Sequence, residues 1–162
     1  MINEILPTLK ELHRDADAFL CRLRLAALGD IPCRVNVARH FLEDKGLHRE
    51  PLSGLQWLEW AIEGGSVHAP DICAELGTAY VTGAHLSPKA WHTPLPPTPR
   101  DRAIGFYLLE RGGCADTLKQ HLPTAPEELA ALAAELDGVP FPFAAELAEQ
   151  YRSMADAAAG AI

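Results

Sequence analysis

Two histidine–carboxylate pairs lie one helical turn apart in this chain, His13 with Asp17 and His40 with Glu43 or Asp44. Residues three or four apart share a helix face, so either pair offers an imidazole nitrogen and a carboxylate oxygen to one divalent ion. A stable zinc site needs three or four ligands, and the spacing supplies no third. The expectation is therefore ordinary pairs on a helix surface, with no metal and no cofactor. Cys114 with His121 is the nearest thiol–imidazole combination, and a cysteine nucleophile there would need folding to bring the base to it. No GxSxG, HExxH or phosphate-binding glycine loop occurs. The four cysteines, Cys21, Cys33, Cys73 and Cys114, include no CxxC pair and fall on apolar helical faces, which predicts reduced thiols acting as small hydrophobes. These patterns predict a chain that is not an enzyme, with a hydrolase of unrecognised kind as the alternative.

The elements around these residues read as helices throughout. Ile2, Ile5, Leu9, Leu12, Ala16, Phe19, Leu23 and Ala26 recur at steps of three and four, an apolar stripe on a first helix that starts near Pro7 and stops at Gly29. Pro32 is placed as a first-turn proline for a helix over about 32–44, followed by a turn in which Gly46 is free to take positive φ. Pro51 then opens a helix carrying Leu55, Leu58, Ala61 and Ile62. A second hairpin opens at Ala69-Pro70-Asp71 and stops at Gly83, and its partner over about 100–112 stops at Gly112-Gly113. Helices over about 115–122, 125–137 and 143–158 complete the chain, and no segment reads as a strand.

Length and charge narrow the class. The 162 residues, 48% of them apolar, suit one folded domain over 1–162, and no apolar run approaches the roughly 18–20 residues that span a bilayer. The charged N-terminus, with Glu4, Lys10, Glu11, Arg14, Asp15 and Asp17, lacks the apolar core of a secretory signal; Ala18-Phe19-Leu20-Cys21 only faintly echoes a lipoprotein cleavage box. A cytoplasmic protein is expected. Of the net charge of −8, residues from 120 onward contribute −6, seven acids against Arg152 alone. That field disfavours nucleic acid and anionic lipid and steers a basic protein toward the C-terminal end. One break in composition stands out, the loop Ala84 to Arg100, with five prolines around Trp91 and His92. Trp91 there either anchors a partner or docks onto the hairpins to hold the loop down.

The two hairpins can be laid on one another. Gly29, Cys33, Val37, Ala38, Phe41, Gly46, Glu50, Gly54, Trp57, Ala61 and Gly64 fall on one spacing, and Leu76, Gly77, Tyr80, Gly83, Ala103 and Phe106 repeat it. On these residues the chain resembles the Sel-one-like repeat family, a relative of the tetratricopeptide repeat, over about residues 29–121. The second repeat departs from the pattern by three extra residues between Gly65 and Tyr80 and about ten after Gly83. The resemblance implies an all-α fold, a short right-handed α-solenoid of helical hairpins. A capping helix would occupy 1–28, repeats 29–65 and 66–113, and acidic capping helices 114–162. Ala38 and Gly77 would let helices approach, and Phe41, Tyr80, Trp57 and Phe106 would fill the space between them.

Such arrays bind proteins along the first helices of their hairpins. The resemblance therefore implies a partner surface at Asn36, Arg39, His40 and Glu43 in the first repeat and at Asp71, Glu75 and Thr78 in the second, with Trp91 and His92 added by the loop. An acidic cytoplasmic protein of this kind resembles an adaptor, or a bacterial immunity protein that neutralises a basic toxin. A structural, self-associating role through the N-terminal stripe is the third class.

Overall fold

The computed structural model describes residues 16–43, 50–83 and 97–160, all of them helix or short connection, with no strand among the described residues. The helices are α1 (16–27), α2 (Ile31–Leu42), α3 (Pro51–Glu63), α4 (Ala69–Thr82), α5 (Pro99–Arg111), α6 (Ala115–His121), α7 (Pro126–Asp137) and α8 (Pro142–Gly160). The protein is all-α, and α2 with α3, α4 with α5, and α7 with α8 pack as adjacent pairs. It divides into two compact units, the first holding α1–α3 and the second α4–α8. His13, Asp44, Gly46, Trp91, His92 and most of the 84–100 loop lie outside the described residues.

Local chemistry explains where the helices start and stop. Pro32, Pro51, Pro70, Pro99, Pro126 and Pro142 each occupy the first or second position of a helix, where the missing N–H has no intrahelical role. Three helices end in the same device. At Gly29, Gly65 and Gly113 the chain turns to positive φ, of 106°, 81° and 69°. In each, the residue after the glycine bonds back five positions, as in Asp30 N–H to Leu25 O, Ser66 N–H to Ala61 O and Cys114 N–H to Leu109 O. This is the Schellman closure, which satisfies carbonyls the helix leaves open. At the start of α5, Thr98 and Asp101 form a reciprocal capping box, the Thr98 side chain accepting from Asp101 N–H at 3.1 Å.

In the first unit, α3 buries Gly54, Leu55, Leu58 and Ala61 along one stripe, and α2 buries Val35, Val37, Ala38 and Leu42. A Cβ on Gly54 would stand 2.6 Å from Leu42 Cγ and 3.0 Å from the Ala38 carbonyl oxygen. Ala38 therefore sits at the close approach, as its type suggests. Arg34 ties the ends of the unit together, its Nε donating to Ala26 O at 3.1 Å and its Nη1 to Trp60 O at 3.3 Å. Trp57 departs from expectation. It lies beside the buried stripe, half-buried and edge-on to Trp60 at 4.8 Å, while its neighbour Leu58 is the core residue. Phe41 is likewise half-buried, edge-on to Phe19 at 5.5 Å.

In the second unit α5 is the central helix, with every residue from Ala103 to Leu109 buried. It packs on α4, α6 and α7. A helix covered on all sides must be apolar all round, and the Asp and Arg residues of α5 accordingly fall at its two ends. Gly77 and Gly105 bring α4 and α5 into backbone contact, a Cβ on either standing within 3.1 Å of the other's carbonyl oxygen. Tyr80 and Phe106 fill the core here, both fully buried. Tyr107 meets Phe143 edge-on at 5.2 Å and Phe141 at 6.2 Å. Tyr151 of α8 is buried and donates its hydroxyl to Glu110 Oε1 of α5 at 3.0 Å. Burial, with the Glu110 charge and this hydrogen bond added, pushes its phenol well above the ordinary tyrosine range, so it stays protonated.

Candidate functional site

The residues expected to meet a partner fall into two kinds of environment, taken unit by unit. On α2, Asn36 is exposed, whereas Arg39 and His40 are half-buried and engaged. His40 stacks on Phe19 with ring centroids 4.1 Å apart, so its imidazole helps hold α1 to α2. Glu43, just past the helix, is half-buried and engaged as well. On α4, Asp71 and Glu75 are exposed, and Thr78 returns its hydroxyl to Ala74 O at 2.8 Å within its own helix. Asn36, Asp71 and Glu75 are thus the expected contacts that stand out in solvent, while Trp91 and His92 lie outside the described residues.

The thiols are placed less uniformly than their sequence context suggests. Cys73 alone is a core residue; Cys21 is exposed and Cys33 and Cys114 are intermediate. For Cys21 and Cys33 the reason is rotational, since a cysteine at the edge of an apolar stripe is buried only where a neighbouring helix covers that edge, and Cys114 stands in the turn between α5 and α6. The Cys33 thiol is raised above the ordinary range, first by its hydrogen bond to Asp30 and then by burial, and burial raises Cys114. Cys114 precedes α6 and His121 ends it, so seven residues of helix, about 10 Å of rise, separate the thiol from the histidine nearest to it in sequence. Neither thiol has the lowered pKa of a nucleophile. Among the described residues no three histidine, cysteine or carboxylate side chains come together as a metal site.

These placements give a direct chemical expectation. With iodoacetamide at pH 8, Cys21 should label first, Cys33 and Cys114 about tenfold more slowly, and Cys73 only on unfolding. Mass mapping of a labelling time course checks the order. Because the Cys33 and Cys114 thiols are raised, the protonated form is the one the fold favours. Their contribution to stability is complete below the ordinary thiol range and lost as pH climbs through the raised values.

A surface feature of the second unit is not announced by any motif. A groove of about 180 Å³ is lined by Pro97, Pro99, Arg102, Pro123, Glu128, Ala131 and Leu132. Three separate segments build it: the lead-in and first turns of α5, the connection from α6, and one face of α7. Thr98, between Pro97 and Pro99, caps α5 and so ties the two prolines to the start of that helix. The Arg102 guanidinium lies 5.9 Å from the ring centroid of Phe106, along its own helix. The sequence signal was the flanking of a T-x-x-D capping pattern by two prolines, together with Glu128, Ala131, Leu132 and Glu135 at spacings of three and four on α7.

The acidic residues of α7 and α8 face outward. Glu127, Glu128, Asp137, Glu146, Glu149 and Asp156 are exposed, and Arg152 pairs with Asp137. No described helix is long and apolar enough to cross a membrane. Comparison of the chain with protein-family models, with curated proteins and with solved structures returned no match.

Proposed function

We propose that this chain is a non-catalytic interaction module that binds one basic protein partner, acting as an adaptor or as an immunity protein that neutralises a bacterial toxin in the cytoplasm. The observation that carries the reading is the division of labour on α2 and α4. Each buries an apolar face in its hairpin and holds Asn36, or Asp71 and Glu75, in solvent on the other. Side chains fixed on packed helices lose little freedom on binding, which favours a tight complex. The outward acids of α7 and α8 favour a basic partner and speed its encounter.

We further read the two hairpins as Sel-one-like repeats. Supporting this are the small residues Ala38 and Gly77 at the close helix approaches, and the shared build of α3 and α5, each 13 residues long, opened by proline and closed by the same glycine turn. The helix ends set Leu58, not Trp57, in register with Phe106.

Affinity capture with the tagged full chain from host lysate, washed at about 0.5 M salt to screen non-specific charge pairing, tests the function. The expected result is one stoichiometric basic partner, lost when Asp71 and Glu75 are both changed to lysine. A chain that recovers only itself, as a dimer, overturns the reading in favour of self-association.

A further inference from the structure

The groove between α5 and α7 adds a location to that reading and rests on it. Its floor and walls are apolar, Pro97, Pro99, Pro123, Ala131 and Leu132, and its volume of about 180 Å³ suits a single aromatic ring or leucine-sized side chain. The two charged residues on it are not equivalent. Arg102 is half-buried and laid over Phe106, whereas Glu128 is exposed at the rim. Along α7 the stripe reads carboxylate, apolar, apolar, carboxylate, from Glu128 through Ala131 and Leu132 to Glu135, with Glu127 exposed beside it. An incoming chain therefore meets an apolar slot with the exposed Glu128 carboxylate at its rim and Glu135 about two turns further along α7. We propose that this groove receives one apolar anchor side chain from a basic segment of the protein partner, the cations on either side of the anchor pairing with Glu128 and Glu135. An apolar anchor in a preformed slot supplies affinity, and the rim charges select the flanking sequence and raise the association rate.

The test uses the full-length, isotope-labelled chain and a capped pentapeptide with tryptophan between two pairs of lysines. Amide shifts should centre on Arg102, Ala131 and Leu132, and replacing the central tryptophan by alanine should weaken binding at least about tenfold. A peptide with glutamates in place of the lysines should not bind. Ala131→Trp fills the groove from an exposed position that leaves the core intact, and should weaken binding by about the same factor. Glu128→Lys should weaken it about fivefold, chiefly through the association rate. Equal binding of the tryptophan and alanine peptides, or shifts scattered over all of α7 and α8, overturns the proposal in favour of diffuse charge attraction. A captured partner retained equally by native and A131W protein overturns the groove and leaves the interaction reading standing. Peptide seated in the groove with no partner in the lysate does the reverse.

Discussion

A chain ending at residue 123 should lose the cooperative unfolding of its second unit. The cut removes α7 and α8, and with them Phe141 and Phe143 from the Tyr107 ring and Tyr151 from Glu110. Tyr107 is fully buried, and returning one such side chain to water costs about 2 kcal/mol by itself. What remains of the unit is the α4–α5 hairpin and the seven-residue α6, below the size at which one apolar core normally holds. Thermal unfolding followed by circular dichroism should broaden until no midpoint is defined, and a dye that binds exposed apolar surface should brighten severalfold. A sharp melt within a few degrees of the full chain's would refute the dependence of α5 on α7 and α8. Deleting residues 1–28 should act on the first unit in the same sense, by stripping Phe19 from His40 and Phe41 and Ala26 from its buried position.

The largest effect expected from one added methyl group is at Gly105. A Cβ there would stand 2.6 Å from Val81 Cγ2, 2.9 Å from the Val81 amide nitrogen and 3.0 Å from the Gly77 carbonyl oxygen. Two of these three atoms are backbone, so no change of rotamer relieves the overlap and α4 must move away from α5. Gly105→Ala should cost about 3 kcal/mol, a sizeable part of the total stability of a small domain. The urea midpoint should fall by about 1.5 M. Gly160→Ala is the control, since it is helical and nothing lies within 4 Å of its Cβ position, and it should leave the midpoint nearly unchanged. If the two substitutions behave alike, the close α4–α5 approach is not what makes glycine necessary.

Helix positions were legible in the sequence because their causes are local. Proline in a first turn and glycine in a closing turn act within four or five residues, so Pro51, Pro70, Gly29, Gly83 and Gly113 mark real boundaries. Small residues at helix crossings were legible too, at Ala38 and Gly77, because their only function is to make room. Trp57 was not. Its neighbour Leu58 lies about 100° around the helix and takes the buried place, so the cost of about 3–5 kcal/mol for truncating a fully buried aromatic to alanine applies at Phe106 and not at Trp57. The groove was hidden for another reason. Pro97, Pro123 and Leu132 come from three segments, and only their packing makes one surface of them. Candidate contacts were half legible: spacing places Asn36, Arg39 and His40 on one face, but not which of them a neighbouring helix has already engaged.

The chain has three tyrosines, and Tyr80, Tyr107 and Tyr151 all lie fully buried in the second unit, none in the first. The molecule is in this sense spectrally partitioned: its entire phenol absorbance belongs to α4–α8. Trp57 and Trp60 colour the first unit, one half-buried and the other exposed. A rise in phenolate absorbance in alkaline solution therefore times the opening of one unit alone, without an added label.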